Sequence, residues 1–359
     1  SAVFSSARRR ANLGRVSGLS PGSTLGGYRI LARLRAGAMG VLYLGRRVGP
    51  AGFARPVAIK VIHDHLANNE RFVRMFVEEA RLAARIDDPN VVRVEELGQE
   101  EGRYYLVMEY VHGCSLAHVL GVLGPRGGVP RAHAVAIAMH IASGLHGAHE
   151  ARDEQGQPLG IVHRDVSPHN VLVSYGGHVR VIDFGIAKAG QSEGTKTGSL
   201  RGKLAYMPPE QARSAKHVDR RADLYALGLV LWEMLTGRRF FDAPSDIALL
   251  AQLREPKVVP PSAYAPDIPR ELDAVVLRTL SLDPAGRPAT GAELQRLLGD
   301  AYPPALRVLP SDLVVLMAQV RAAATQAAPE KDGGGGYAEE IRAEATLFGE
   351  KMHESMDFD

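Results

Sequence analysis

The sequence predicts an α+β fold of two lobes, a small N-terminal five-stranded antiparallel sheet with one main helix and a larger, mainly helical C-terminal lobe. Two observations predict it. From Tyr28 to Val111 apolar and polar residues alternate in short runs, the period of half-buried strands, and a single stretch of helical spacing interrupts them. After Gly113 the helical period takes over. A chain of 359 residues has room for two or three compact units, and 45% hydrophobic residues permit a large core.

Residues 1–24 are rich in Ser, Arg and Gly and contain no acid, so residues 1–27 are expected to form a disordered basic arm. Its Arg8-Arg9-Arg10 triplet either meets an acidic partner or stays solvated. The first lobe, residues 28–111, takes its strands from Leu31–Leu34, Val41–Leu44, Val57–Ile62, Val91–Glu95 and Tyr104–Tyr110. Its helix spans Phe72–Ile86, with Phe72, Met75, Phe76 and Ala80 on one face. The second lobe, residues 112–300, has helical patterns at Ala132–Glu150, Ala222–Thr236, Ile247–Leu253, Glu271–Leu280 and Ala292–Leu298. Val171–Ser174 and Val179–Ile182 flank Gly176-Gly177 and predict a hairpin.

An additional helical segment covers residues 301–330, with Ser311 expected as the N-cap of a helix reaching about Ala328. Residues 331–359 are a linker and tail. Gly333 to Gly336 is a flexible break, and Tyr337–Asp359 is mainly acidic. Ile341, Ala345, Phe348 and Met352 recur at helical spacing, which predicts an amphipathic helix laid on a partner or on the chain itself. Disorder is the competing reading.

Bulk charge is +3, which supplies no argument for nucleic acid binding. Cys114 is the only cysteine, so an intramolecular disulfide is excluded, as suits a reducing cytoplasm. No apolar run approaches the roughly 20 residues that span a bilayer, and the best candidate, Leu313–Val320, is too short and reads as half of a buried helix. The chain opens on Ser rather than Met, which fits a processed or truncated product.

Four stretches carry chemistry. Arg35-Ala36-Gly37-Ala38-Met39-Gly40 lies between two strand patterns, and glycines there let backbone N–H groups approach phosphates. Lys60 ends Val57-Ala58-Ile59-Lys60, an apolar strand in which an unpaired ammonium would be costly. His163-Arg164-Asp165, Asn170 and Asp183-Phe184-Gly185 then place a proton acceptor, an amide metal ligand and a carboxylate metal ligand on closely spaced loops. Phosphoryl transfer from a metal nucleotide needs these groups together.

In this order the motifs resemble those of the bacterial Ser/Thr protein kinase family, a eukaryotic-like kinase fold, over about residues 28 to 300. The resemblance implies that ATP and Mg²⁺ are the cofactors and that protein Ser/Thr hydroxyls are the acceptors. It implies that Asp165 orients the acceptor hydroxyl, that Asn170 and Asp183 hold the metal, and that Lys60 pairs with the α- and β-phosphates while Glu79 pairs with Lys60. Glu78 points about 100° away on the helix and is the weaker candidate. Gly37 and Gly40 would line the phosphates. Met108 would be the gatekeeper, the Glu109 and Val111 backbones would bond the adenine, and Leu42, Ala58 and Leu172 would sandwich it.

Further along, Tyr206-Met207-Pro208-Pro209-Glu210 resembles the end of the activation segment, with Arg287 as partner of Glu210 and Asp223 as the brace of the catalytic loop. Thr195 and Thr197, with Ser199 behind them, are expected as autophosphorylation sites, and Arg164 as the cation that meets them. Signal transduction is the implied setting. The competing reading is a pseudokinase or nucleotide-binding scaffold. A small-molecule kinase is disfavoured by the Glu210–Arg287 pair, and tyrosine specificity by the absence of an Arg-bearing insertion after Asp165.

Three positions depart from the family pattern. Arg35 replaces the first loop glycine and is expected to crowd or redirect the loop. Ser167 replaces the Lys two residues after the catalytic Asp, and Lys203 replaces the docking-loop Thr. The last two are complementary, as though hydroxyl and ammonium had exchanged places, which makes Lys203 a candidate catalytic cation. His169 stands where kinases that prefer basic substrates often carry Glu, so no preference for Arg two residues before the acceptor is expected.

Overall fold

Alternation in the first lobe folds into one antiparallel sheet, because each strand must pair its backbone and bury one face. The strands are β1 (Thr24–Leu25), β2 (Tyr28–Ala36), β3 (Gly40–Val48), β4 (Ala54–Ile62), β5 (Val94–Glu100) and β6 (Arg103–Glu109), in the order β1-β2-β3-β4-β6-β5. The structure is a computed structural model and describes residues 18–49, 54–184, 204–213, 218–243, 245–254 and 256–327.

After β4 come a single turn, α1 (Asp64–Ala67), and then α2 (Glu70–Ala83). Asn69 caps α2 by accepting the Phe72 N–H at 3.1 Å. Phe72, Phe76 and Ala80, spaced by four, bury one stripe of α2 against Ile62 and Leu106 of the sheet. Each buried phenylalanine contributes about 1.5–3 kcal/mol. The opposite sheet face packs Tyr28, Ile30, Tyr43, Ile59 and Val107 into a separate small core.

Two expectations for this lobe are corrected. The sheet has six strands, not five, since residues 24–25, assigned by sequence to the arm, pair with Tyr28 and Arg29. Leu25 is buried in the second small core, so two residues suffice to make a strand there. Val91 lies outside the sheet and bridges Val181 of the other lobe instead, with Val92 N–H donating to Val181 O at 3.0 Å. The arm's residues 1–17 lie outside the described residues.

The second lobe contains a three-stranded sheet of β7 (Gly113–Ser115), β8 (Val171–Ser174) and β9 (Val179–Val181). Its helices are α3 (Leu116–Leu123), α4 (Arg131–His149), α5 (Pro209–Arg213), α6 (Arg221–Thr236), α7 (Asp246–Arg254), α8 (Arg270–Thr279), α9 (Gly291–Ala301) and α10 (Pro310–Ala327). Every residue of α6 from Ala222 to Thr236 is buried, so it is the post around which the lobe packs. α10 drives Leu313, Leu316, Met317 and Val320 into the same core.

Ser311 is not the cap of α10. Pro310 already occupies the first helical turn, where its missing N–H costs nothing, and the Asp312 carboxylate accepts the Leu309 N–H at 2.8 Å. Pro310 also sits against the β8–β9 turn. At Gly177 the backbone has φ +78°, and a Cβ would lie 2.0 Å from Pro310 O, so only glycine fits. Residues 328–359, with the linker and the Ile341/Ala345/Phe348/Met352 stripe, lie outside the described residues. Among the described residues no helix is long and apolar enough to cross a membrane.

Candidate active site

The pleat of β4 sends Ala58, Lys60 and Ile62 to one face, with Leu42 opposite Lys60 and Met108 opposite Ala58. Lys60 Nζ meets Asp183 Oδ1 at 2.8 Å. Burial is the largest single influence on Lys60 and opposes its charge, but the charge of Asp183 and its hydrogen bond act against it. With the further charges of Glu79 and Asp165, they hold the ammonium above the ordinary lysine pKa. Lys60 thus bonds Asp183 directly, and the Glu79 charge acts on the same ammonium. Glu79 is half-buried and Glu78 exposed, as helix geometry predicts.

Asp183 has φ +56°, a left-handed backbone rare outside glycine. The neighbouring residues hold it there. Phe184 is buried with its ring 4.5 Å from that of His163. His163 in turn donates from Nε2 to Ile182 O at 3.0 Å and accepts the Asp165 N–H on Nδ1 at 3.2 Å. One fully buried imidazole, in its Nε2–H tautomer, therefore ties the loop of Asp165 to the loop of Asp183.

Asp223, on α6 and 1% exposed, fixes the same loop from beneath. Its carboxylate accepts the N–H groups of His163 and Arg164, each at 2.8 Å, and the His149 ring at 2.8 Å. Arg164 has φ +61°, a strained backbone that these bonds compensate. Asn170 donates from Nδ2 to both the backbone oxygen and Oδ2 of Asp165, each at 2.8 Å, while its own N–H donates to Ser167 O. With its nitrogen so used, Asn170 offers Oδ1 to a cation.

Asp183 and Asn170 fit a hard divalent cation. Both supply oxygen, and such ions are held by one or two protein oxygens together with phosphates and water. Among the described residues no cluster of three or more His, Cys, Asp or Glu could hold a metal by itself. A metal here would share its ligands with a nucleotide.

The residues expected to surround the adenine share a pattern of burial. Leu42, Met108 and Leu172 are partly exposed although their strand neighbours Tyr43, Val107 and Val173 are buried, Val111 beyond the end of β6 is also partly exposed, and Ala58 is 9% exposed. The Glu109 N–H is committed to Arg93 O at 3.0 Å, and its carboxylate to Arg180 at 3.0 Å. At the hairpin tip Gly37 N–H donates to Gly40 O at 2.8 Å. A Cβ on Gly40 would lie 2.1 Å from Val61 O, so this position requires glycine for close approach. Arg35 has an exposed side chain in β2 and no left-handed backbone, so it fits the strand without crowding it.

Arg287 is 1% exposed and grips Glu210 with Nη1–Oε1 2.6 Å and Nη2–Oε2 2.9 Å. Tyr206 donates to Glu233 at 2.6 Å. Gly185, Thr195, Thr197, Ser199 and Lys203 lie outside the described residues. Sequence reasoning missed His63, His163 as a bridge, and Glu233. The first hydrogen-bonds to backbone oxygens, and the other two are ordinary-looking residues in loop and helix patterns.

The two-lobed fold and this site together define the protein kinase class. The chain belongs to the protein kinase domain family, whose model matches residues 28–298. It is 45% identical over 264 residues to tyrosine-protein kinase MasK of Myxococcus xanthus, covering 73% of this chain and 41% of that protein. It is 34% identical over 278 residues to serine/threonine-protein kinase PrkC of Bacillus subtilis, covering 77% and 41%. The kinase domain of PknI from Mycobacterium tuberculosis superposes with a TM-score of 0.60 at 28% identity, covering 79% of this chain and 100% of that domain. The chain thus spans about two fifths of the length of the curated relatives it matches. Family membership implies ATP as phosphoryl donor, a divalent metal, and protein substrates.

Proposed function

We propose that the chain is a Ser/Thr protein kinase that moves the γ-phosphate of MgATP to protein hydroxyls in bacterial signal transduction in the cytoplasm. The observation that carries this reading is the convergence of Lys60 on Asp183, with Asp165 and Asn170 bonded beside them and His163 joining the two loops. Lys60 would hold the α- and β-phosphates, and Asp165 would orient the acceptor hydroxyl and take its proton. Asn170 and Asp183 would hold Mg²⁺, which when bound neutralises charge on the phosphates. Gly37 and Gly40 would admit the phosphates. Leu42, Ala58 and Leu172 would clasp the adenine beside Met108, with the Glu109 and Val111 backbones at its edge. Positioning and electrostatics do most of the work in such a site, so each group counts.

Thr195 and Thr197 are the proposed autophosphorylation sites, with Arg164 as their cation. The tail 337–359 is proposed to dock on the kinase or on a partner. Unchanged activity, partner binding and proteolysis after its removal would refute that. The pseudokinase alternative has no support from the relatives.

Incubation with radiolabelled ATP and a generic protein substrate tests the main reading, with Asp165→Asn as control. Label in the wild type only is expected, and none in either refutes it. A second reading, tyrosine as acceptor, is favoured by the name of the Myxococcus relative. Phosphoamino acid analysis of the labelled product separates the two, and phosphotyrosine alone would overturn the first.

A further inference from the structure

We propose that His63 is a positioning residue for the phosphate-binding hairpin. The inference rests on the reading that the Gly37–Gly40 tip receives the phosphates of ATP. His63 follows directly on β4, the strand of Lys60. It makes two bonds to the tip, its Nε2 to Gly37 O at 2.8 Å and its backbone N–H to Met39 O at 3.1 Å. Gly37 O carries no hydrogen, so Nε2 donates. The ring also stacks on that of His65, with centroids 5.4 Å apart and planes at 17°.

A peptide unit is planar and trans, so its carbonyl and the following N–H point in opposite directions. With the Gly37 carbonyl drawn to His63, the Ala38 N–H is turned away from the histidine. A glycine-containing tip free of this bond could rotate that peptide at little steric cost. With it, the donor direction is fixed before any nucleotide arrives. Because the same strand end carries Lys60 three residues earlier, the lysine and the tip are set relative to each other. Two groups meant for one triphosphate are thereby registered by one strand. His63 touches neither phosphate nor acceptor in this scheme. It acts through the Gly37 carbonyl.

The test compares full-length wild type, His63→Ala and His63→Gln. Three quantities are read: the Kd of MgATP by displacement of a fluorescent nucleotide, steady-state KM and kcat, and hydrogen exchange of residues 36–41. The expected result for His63→Ala is Kd and KM for MgATP raised about fivefold, the fold-change of one modest hydrogen bond. Its kcat should change less than about twofold, its Tm should be unchanged, and exchange at the tip should be faster. The glutamine Nε2 can donate in place of the imidazole Nε2, so His63→Gln should restore both affinity and exchange. Wild-type affinity and exchange in His63→Ala would overturn the proposal, as would a glutamine variant no better than alanine. If the wild type itself fails to bind MgATP, the kinase reading fails instead, and the exchange data still decide whether His63 orders the tip.

Discussion

Arg287 and Glu210 form two parallel hydrogen bonds, 2.6 and 2.9 Å, around a guanidinium that is 1% exposed. The same guanidinium donates to Ser281 O and Arg221 O and lies 4.6 Å from the Tyr225 ring. Glu210 sits at the start of α5, so this pair fastens that helix to α6. Removing the carboxylate leaves a buried charge without its counter-ion. Glu210→Ala is therefore expected to cost about 3–5 kcal/mol in urea unfolding. Arg287→Lys should not rescue the fold, since an ammonium cannot form the fork. A loss below about 1 kcal/mol would contradict this account.

Lys60→Ala and Asp183→Asn are each expected to lower kcat by at least about 100-fold, by analogy with loss of a preorganised electrostatic contact. Single-turnover kinetics with saturating MgATP check this. Lys60 sits above its ordinary pKa of 10.5, so the stability its charge contributes is complete below that pH and is lost only as pH rises through the higher folded value. The Lys60→Ala difference in melting temperature should thus be flat from about pH 6 to 9.

Glu233 behaves otherwise. Burial raises its pKa, and the bonds from Tyr206 and the Phe240 N–H only partly offset that. The folded state then favours the protonated acid, so its contribution is complete below about 4.5 and declines as pH rises through the folded value. Glu233→Gln should flatten that part of the stability profile. Thermal melts between pH 4 and 8 measure it, and an unchanged slope would show that Glu233 does not titrate there.

Ser167 is 4% exposed, which sharpens the proposed exchange with Lys203. A lysine introduced at 167 alone would place an ammonium in a buried site. Lys203→Ala is expected to slow phosphate transfer about tenfold, an effect of the size of one lost charge-assisted hydrogen bond. A wild-type rate would end the exchange idea. If Ser167→Lys with Lys203→Thr raises activity sharply, the native pair is a defect rather than a swap.

Much of this was legible in the residues. Lys60, Asp165, Asn170, Asp183, Asp223 and Arg287 stand in motifs whose spacing reflects loops of fixed length, and the long helices announce themselves through apolar periodicity. Less visible were features that depend on distant backbone. β1 is two residues long and becomes a strand only because Tyr28 and Arg29 lie beside it. α3 carries the run Leu116-Ala-His-Val-Leu-Gly-Val-Leu123, apolar on nearly every face, so no period marked it. Ser311 looked like a cap because residue preferences are local, whereas Pro310 and Asp312 together decide where α10 begins. The interval pointed from Lys60 to Glu79, whose charge acts on it, but no interval announced the bond from Lys60 to Asp183, on a loop 123 positions away.

The seat of α10 has a practical corollary. The family match ends at residue 298, yet Leu313, Leu316, Met317 and Val320 plug the larger lobe from beyond that boundary. A recombinant fragment trimmed at the match would bare an oily scar beside the β8–β9 turn. Poor yield or clumping of such a fragment would report a missing lid on the core, and say nothing against its chemistry.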